Sequence, residues 1–294
     1  MNRPLLPIGP ETFDLRGRQA VVTGSSRGLG AACAVRLAQA GCDVMITYRK
    51  EADAAAAVAE RARAHGTTVV VQQLDLESEA SIDELFDRVE SEWGGLDILV
   101  ANAAATSFRP MHKAERRHFE RTYAISVFGF HQMVVRSLPL MESRGRGRVV
   151  AVSGADTGTW INGHGILAGA KAAMESMVHY FGCELANKGI TTVGISPGWI
   201  DGESLQLMLG PLHEFARDLE ASTHPMRVAA TPEHVAESVA VLCTDAAALF
   251  NGNTLVADGS GVFGFCARYT KVAQQLAIAQ LEGLESADAP AIPE

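Results

Sequence analysis

The sequence has no excess of positive charge, the property that nucleic-acid-binding and anionic membrane-binding surfaces require. Its 294 residues include 25 Lys and Arg against 34 Asp and Glu, which gives a formal net charge of −9 at pH 7. We therefore expect neither nucleic acid nor a membrane surface as a partner. The negative net charge still allows a local basic pocket for the phosphate groups of a small molecule.

Long apolar runs are also missing. No segment reaches the roughly 18 apolar residues that a membrane-spanning helix needs, and the first residues lack the apolar core of a signal peptide. The cysteines are odd in number and lack the short paired spacing of a zinc site, at positions Cys33, Cys42, Cys183, Cys243 and Cys266. Such thiols are typical of a reducing compartment, so we expect a cytoplasmic protein that holds no metal.

Short apolar runs alternate regularly with amphipathic helical stretches along most of the chain. The runs expected to form strands cover residues 18–24, 42–50, 67–76, 96–105, 148–154, 190–198 and 253–261. Helices are predicted between the first four strands, at residues 28–41, 51–66 and 81–93. This alternation predicts an α/β fold: a single-domain, Rossmann-type doubly wound parallel sheet with helices on both faces.

No repeat or low-complexity linker divides the sequence. We predict an N-terminal leader at 1–15 and one Rossmann domain at 16–264. Within that domain, residues 202–228 are a leucine-rich helical insertion expected to bind substrate. A C-terminal helix and a disordered acidic tail are expected at 265–294. We interpret the charged run at 113–121 as a solvent-exposed helix face and not as a binding patch.

A glycine-rich segment, TGSSRGLG at residues 23–30, lies between the first predicted strand and the first predicted helix. Its glycines, Gly24, Gly28 and Gly30, allow a tight turn and a close approach of the backbone to a pyrophosphate. The helix that follows presents free N–H groups to the same anion. In this context the segment predicts a dinucleotide-binding loop.

The end of the second predicted strand indicates which nicotinamide cofactor is used. A carboxylate there usually holds the 2′-hydroxyl of NAD, whereas a 2′-phosphate needs a cation. The strand ends in Arg49 and Lys50, and Arg27 lies in the glycine loop. Two arginines on one phosphate would make charge-assisted contacts, so the sequence favours NADPH.

Six motifs make the chain resemble the short-chain dehydrogenase/reductase family over residues 16–261. They are TGSSRGLG, LDL around Asp75, NAAA from Asn102, Lys171 with its helix, SPGWI from Ser196 and ADGSG from Ala257. The resemblance implies that Asp75 and Leu76 flank the adenine, that Asn102 supports the ribose side and that Lys171 holds the nicotinamide ribose. It also implies a homotetramer. The predicted cofactor-binding set is Gly24, Ser26, Arg27, Gly28, Leu29, Gly30, Arg49, Asp75, Leu76, Asn102, Lys171, Pro197, Gly198 and Ile200.

The sequence departs from this family at most of its usual catalytic positions. By the family pattern the asparagine falls on Ser126, the serine on Gly154 and the tyrosine on Leu167. The threonine that follows the Pro-Gly turn falls on Gly202, so only Lys171 is retained. The enoyl-thioester reductases of the family place their tyrosine seven residues before the lysine.

In this sequence the residue at that spacing is His164, so the predicted catalytic residues are Lys171 and His164. Reducing a ketone produces a strongly basic alkoxide that needs a positioned acid, whereas reducing an enoyl thioester produces a less basic enolate. We therefore predict NADPH-dependent reduction of an activated C=C in an enoyl-CoA or enoyl-carrier-protein substrate. The predicted pocket lining is Trp160, Leu167, Trp199 and Leu205.

Two other functions remain open at this point. One is a carbonyl reductase that recruits its acid from Tyr123 or Tyr269; Tyr180 lies nine residues beyond Lys171, some two and a half helical turns away. The other is an NADP-binding member of the family with a non-redox role. His164 is also open to a plain structural interpretation, as a histidine in a glycine-bounded loop.

Overall fold

A computed structural model describes residues 14–105 and 108–261. The predictions for most of the N-terminal leader and for the C-terminal region, including Tyr269 and Cys266, lie outside these residues. Within them, no helix has both the length and the apolar composition needed to cross a membrane.

The strands form one seven-stranded sheet in which every pairing is parallel. Their order is β3-β2-β1-β4-β5-β6-β7, so the direction of winding reverses between β1 and β4. In sheets of this type, ligands bind at the carboxyl ends of the strands beside that reversal. The strands are β1 Gln19–Val22, β2 Asp43–Tyr48, β3 Val69–Gln73, β4 Ile98–Ala101, β5 Gly147–Val152, β6 Ile190–Pro197 and β7 Thr254–Ala257.

Helices cover both faces of the sheet, as predicted. They are α1 Gly28–Gln39, α2 Ala52–Arg63, α3 Glu79–Trp93, α4 Arg116–Tyr123, α5 Phe130–Arg144, α6 Gly165–Leu185, α7 Glu203–Leu209, α8 His213–Thr223 and α9 Pro232–Leu242. One apolar core lies between the sheet and α1, α2 and α9, and a second lies between the sheet and α3, α5 and α6. Successive residues of β1 alternate between the two cores: Val21 joins one and Val22 the other.

Local signals explain where several helices begin and end. Gly41 and Gly66 follow α1 and α2 with φ of 89° and 80°, as expected of glycines that end helices. Helix α3 begins at Glu79, earlier than predicted, because the Ser78 side chain accepts a hydrogen bond from Ser81 N. Between α4 and α5, residues Ala124–Gly129 form a π-helical segment. Such segments are frequent at functional sites.

Candidate active site

The glycine loop joins the end of β1 to the start of α1. Gly24 and Gly28 have φ of 63° and 55°, a region that side chains rarely tolerate. A Cβ on Gly30 would lie 2.3 Å from the Gly24 carbonyl oxygen, so that position accepts only glycine, whereas a Cβ on Gly28 would meet open space. The first turn of α1 carries no acidic residue. The loop therefore offers N–H groups and the positive end of a helix to an anion.

This loop forms one wall of a cleft of about 540 Å³. Ten of the predicted cofactor-binding residues line it: Gly24, Ser26, Arg27, Gly28, Leu29, Gly30, Arg49, Asp75, Leu76 and Asn102. The other four, Lys171, Pro197, Gly198 and Ile200, are not among its lining residues. The volume of the cleft, its glycine loop and the N-terminus of α1 together fit the adenosine diphosphate portion of a dinucleotide.

Asn102 follows β4, which pairs with β1, and it lines the cleft at the ends of these two strands. Its Nδ2 donates to the carbonyl oxygen of Thr23 at 3.0 Å, and its backbone N donates to Thr23 Oγ1 at 2.9 Å. Asp75 accepts a hydrogen bond from the Glu77 backbone N at 3.0 Å, which holds the turn after β3. The Asn102 contacts tie the end of β4 to the end of β1, and the Asp75 contact fixes the loop after β3.

Several cations surround the adenosine end of the cleft. Arg27, Arg49, Lys50 and Arg121 line it, together with the carboxylates of Glu51, Asp75 and Glu203. Arg49 and Arg121 approach the same oxygen of Glu77, at 3.4 Å and 3.7 Å. Arg121 is the last residue of the charged run at 113–121, which we interpreted from the sequence as a solvent-exposed helix face. Its side chain is 54% exposed, in line with that interpretation, but α4 also places it at the edge of the cleft, which the sequence did not indicate.

Lys171 is buried on the face of α6 that packs against the sheet. Its Nζ donates a hydrogen bond to the carbonyl oxygen of Val152, at the end of β5. Burial lowers the pKa of Lys171 to about 8, and the nearby carboxylates of Asp156 and Glu175 oppose that effect. The lysine is thus held rigidly next to the carboxyl ends of the central strands.

Next to Lys171 lies a histidine–aspartate pair that sequence reasoning only half identified. His164 Nδ1 is 3.2 Å from Asp156 Oδ2, and the ring of Phe108 packs on the His164 ring at a centroid distance of 4.9 Å. Asp156 follows β5 in the turn Ala155–Thr157, and its side chain is only 4% exposed. The available signal was an acidic residue in the loop that follows a central strand, where parallel sheets place their functional groups.

Two further candidate site residues lie at the end of α4 and in the π-helical segment that follows it. Ser126 lies in the π-helical segment, buried, and its hydroxyl has no hydrogen-bond partner within the part of the chain that the structure describes. Tyr123, the proposed alternative acid, lies at the end of α4, and its hydroxyl is 2.9 Å from where a Cβ on Gly169 would be. Gly169 and Lys171 are two residues apart on α6 and face different directions. Tyr123 therefore does not share the lysine's face of the helix.

The predicted pocket-lining residues differ in exposure. Trp160 is 84% exposed and Trp199 is 37% exposed, whereas Leu167 and Leu205 are half-buried. Trp160 therefore projects into solvent rather than forming a wall in this structure. The insertion helices α7 and α8 follow Trp199, and His213 Nε2 lies 2.7 Å from Asp201 Oδ1, which ties α8 to the end of β6.

The chain matches a family described as enoyl-(acyl carrier protein) reductase over residues 24–261. It is 34% identical to 1-cyclohexenylcarbonyl-CoA reductase of Streptomyces collinus, over 86% of this chain and 89% of the relative. It is 30% identical to hydroxynaphthalene reductase of Aspergillus fumigatus, over 81% of this chain and 90% of the relative.

Among solved structures, it is similar to a 7α-hydroxysteroid dehydrogenase complexed with NADH and 7-oxo glycochenodeoxycholic acid. The TM-score is 0.80 and the identity 28%, over 87% of this chain and 98% of that one. The sheet order, the glycine cradle and the buried lysine agree with these relationships. The chain belongs to the short-chain dehydrogenase/reductase family, and these relationships indicate an oxidoreductase that uses a nicotinamide cofactor.

Proposed function

We propose that the protein reduces the activated C=C of an α,β-unsaturated acyl thioester, carried by CoA or a carrier protein, with NADPH as reductant. The observation that carries this proposal is the set of groups around Lys171. A lysine and a histidine–aspartate pair are present there, whereas Gly154 and Leu167 stand where the family's serine and tyrosine are expected. Assembly as a cytoplasmic homotetramer stays a prediction.

The chemistry of the two possible acceptors favours the enoyl thioester. When bound, a reduced nicotinamide supplies the hydride. Addition to a carbonyl carbon leaves an alkoxide, which needs a strong, positioned acid at once. Addition to the β-carbon of an enoyl thioester leaves an enolate, whose charge hydrogen-bond donors can stabilise before the α-carbon is protonated. In this site Lys171 holds the cofactor side, and His164 serves as the donor to the enolate.

The choice of NADPH rests on the cations at the adenosine end. Arg49 and Arg121 converge on one carboxylate oxygen of Glu77, so two guanidinium groups already share one anion. A 2′-phosphate in the cleft beside them would receive charge-assisted hydrogen bonds from the same groups. Arg27 adds a third guanidinium in the glycine loop, 4.0 Å from Glu203.

Similarity to known proteins supports the thioester class without distinguishing it from carbonyl reduction. One relative is named for reducing a cyclohexenylcarbonyl-CoA, and another for reducing a hydroxynaphthalene. The position of Tyr123 against Gly169 counts against its use as a carbonyl-reducing acid. A non-redox member of the family would not oxidise NADPH with either an enoyl thioester or a carbonyl substrate.

The test compares matched substrates. The protein is assayed for NADPH oxidation with a 2-enoyl-CoA and with the 3-ketoacyl-CoA of the same chain length, so only the reacting group differs. We expect turnover of the enoyl-CoA and little or none of the ketoacyl-CoA. Preferential reduction of the ketone would replace this proposal with carbonyl reduction, and no oxidation with any member of an enoyl-CoA series would favour a non-redox role.

A further inference from the structure

Asp156 occupies the space that the family's serine would need. A Cβ on Gly154 would lie only 2.5 Å from Asp156 Oδ1, so the carboxylate fills the position where a side chain at 154 would begin. That oxygen is buried and has no hydrogen-bond partner among residues 14–105 and 108–261. A buried carboxylate oxygen without a protein partner is costly, so the position of this group calls for an explanation.

The other oxygen of Asp156 determines how His164 carries its proton. An ionised carboxylate accepts hydrogen bonds and donates none. Because Oδ2 lies 3.2 Å from His164 Nδ1, the histidine must keep a proton on Nδ1 to make this contact. Neutral His164 then has no proton on Nε2, and only the doubly protonated ring offers an Nε2–H donor.

From this geometry we infer that Asp156 is the positioning residue of an Asp156–His164 acid pair that replaces the family's serine and tyrosine. The inference rests on the proposed function and deepens it. In the reaction the hydride adds to the β-carbon, and the enolate α-carbon takes a proton from the Nε2–H of charged His164. The ring returns to its neutral Nδ1–H form and regains the proton from water, so each turnover consumes one NADPH and one proton.

The charged groups around Asp156 and His164 are consistent with an acid pair at this position. His164 is the residue that precedes the first turn of α6, and Lys171 lies seven residues further on, about two turns along that helix. Glu175 accepts hydrogen bonds from the hydroxyls of Ser153 and Thr157, so its charge is already stabilised, unlike that of Asp156 Oδ1. The charged and titratable groups on the elements around His164 are Asp156, Lys171, Glu175, Arg109, His112, Lys113 and Tyr123.

The first test is the protonation pattern of the His164 ring in the unmodified full-length protein. Nitrogen-15 NMR of ¹⁵N-histidine-labelled protein distinguishes the two neutral tautomers, and the His164→Phe variant identifies the signals. We expect neutral His164 to carry its proton on Nδ1. A neutral ring protonated on Nε2 overturns the inference, whatever the enzyme's substrate proves to be.

Two variants then disturb the pair in different ways. Asp156→Asn removes the charge at almost constant shape, and Gly154→Ala keeps Asp156 but places a methyl group against Oδ1. Both should weaken the Nδ1–H preference. As a matched control, Asp201→Asn breaks a second histidine–aspartate pair, with His213, and should leave the His164 signals unchanged. Signals that stay unchanged in both Asp156→Asn and Gly154→Ala contradict the inference.

Kinetics separate this inference from the proposed function. Asp156→Asn and His164→Phe should each slow enoyl-thioester reduction by about 10²–10³, and the double variant should be no slower than His164→Phe alone. NADPH affinity should change less than about twofold. Additive losses contradict the inference while leaving the function intact. If the unmodified protein reduces no enoyl thioester but shows the Nδ1–H tautomer, the proposed function fails and the pairing stands.

Discussion

The two ends of the candidate active site, the cleft that would hold adenosine and the region around Lys171, use charged side chains in opposite environments. At the adenosine end, Arg49, Arg121 and Glu77 are between 36% and 54% exposed, and their mutual distances exceed 3 Å. At the other end, Lys171 and Asp156 are each only 4% exposed. Water screens the first group and is excluded from the second.

This difference determines how much each residue should matter. Exposed ion pairs contribute about 0–1 kcal/mol, because solvent competes with the partner. Buried charges carry a large desolvation cost and are retained where fixed electrostatics are needed. We therefore expect graded losses of cofactor affinity from changes at the exposed end, and large losses of turnover from changes at the buried end.

The largest effect is expected for Lys171. Lys171→Ala should lower kcat/KM for NADPH-dependent reduction by about 10³, because it removes a fixed donor and cation from a dry site. Steady-state kinetics check this. Lys188→Ala is the matched control, since Lys188 is an exposed lysine just beyond α6 that pairs with Glu142. Turnover and cofactor affinity in Lys171→Ala that equal those of the control would place the active site elsewhere.

The buried lysine should also change how the free energy of unfolding depends on pH. Its pKa is about 8 in the folded protein against 10.5 for an unperturbed lysine. Between these values the unfolded chain binds more protons, so the free energy of unfolding rises with pH from about 8 to 10.5. The rise is about 3 kcal/mol and should be absent from Lys171→Met. Urea titrations at several pH values test this, and identical pH slopes in the two proteins would contradict the buried position of the charge.

Changes at the exposed end should have smaller effects. Arg49→Asp should weaken NADPH binding by about 1.5–3 kcal/mol, roughly tenfold or more, through loss of a charged hydrogen bond. Arg121→Ala should weaken it less, and Arg116→Ala, an exposed arginine on the same helix, should leave it unchanged. Fluorescence titrations with NADPH and NADH measure these affinities. Equal affinity of the unmodified protein for the two cofactors would rule out a phosphate site.

The smallest effect is expected for Tyr123. Its hydroxyl lies against Gly169 and away from the lysine's face of α6, so Tyr123→Phe should change kcat by less than about threefold. The same matched enoyl-CoA and ketoacyl-CoA assays apply. A loss of about 10² or more with a ketone substrate would restore Tyr123 as the acid of a carbonyl reductase.

Sequence was sufficient for the fold and for most of the residues that line the cleft, because both depend on local patterns. Apolar runs and helical periodicity identify the parallel sheet, and the glycines of residues 23–30 define the turn before α1. Arg49 could be identified because it directly follows a strand. Arg121 was missed because its relation to the cleft depends on how α4 packs, which no local pattern records.

The buried end required the structure. The family spacing pointed to His164 and Lys171, but the partner of His164 lies in the turn after β5, where sequence offers no periodic signal. That Asp156 fills the space over Gly154 depends on the extended conformation of that glycine and on the path of the following turn. Trp160 illustrates the opposite error, since a large aromatic near the predicted pocket is almost fully solvent-exposed.

The most direct test of the central claim is the fate of the transferred hydride. The protein is supplied with NADPH deuterated at the transferable C4 position and an enoyl-CoA in ordinary water, and the acyl product is analysed by NMR and mass spectrometry. We predict deuterium at the β-carbon and a solvent-derived proton at the α-carbon. Deuterium on a carbinol carbon with a ketone substrate, together with none on the acyl chain of the enoyl-CoA, would contradict it.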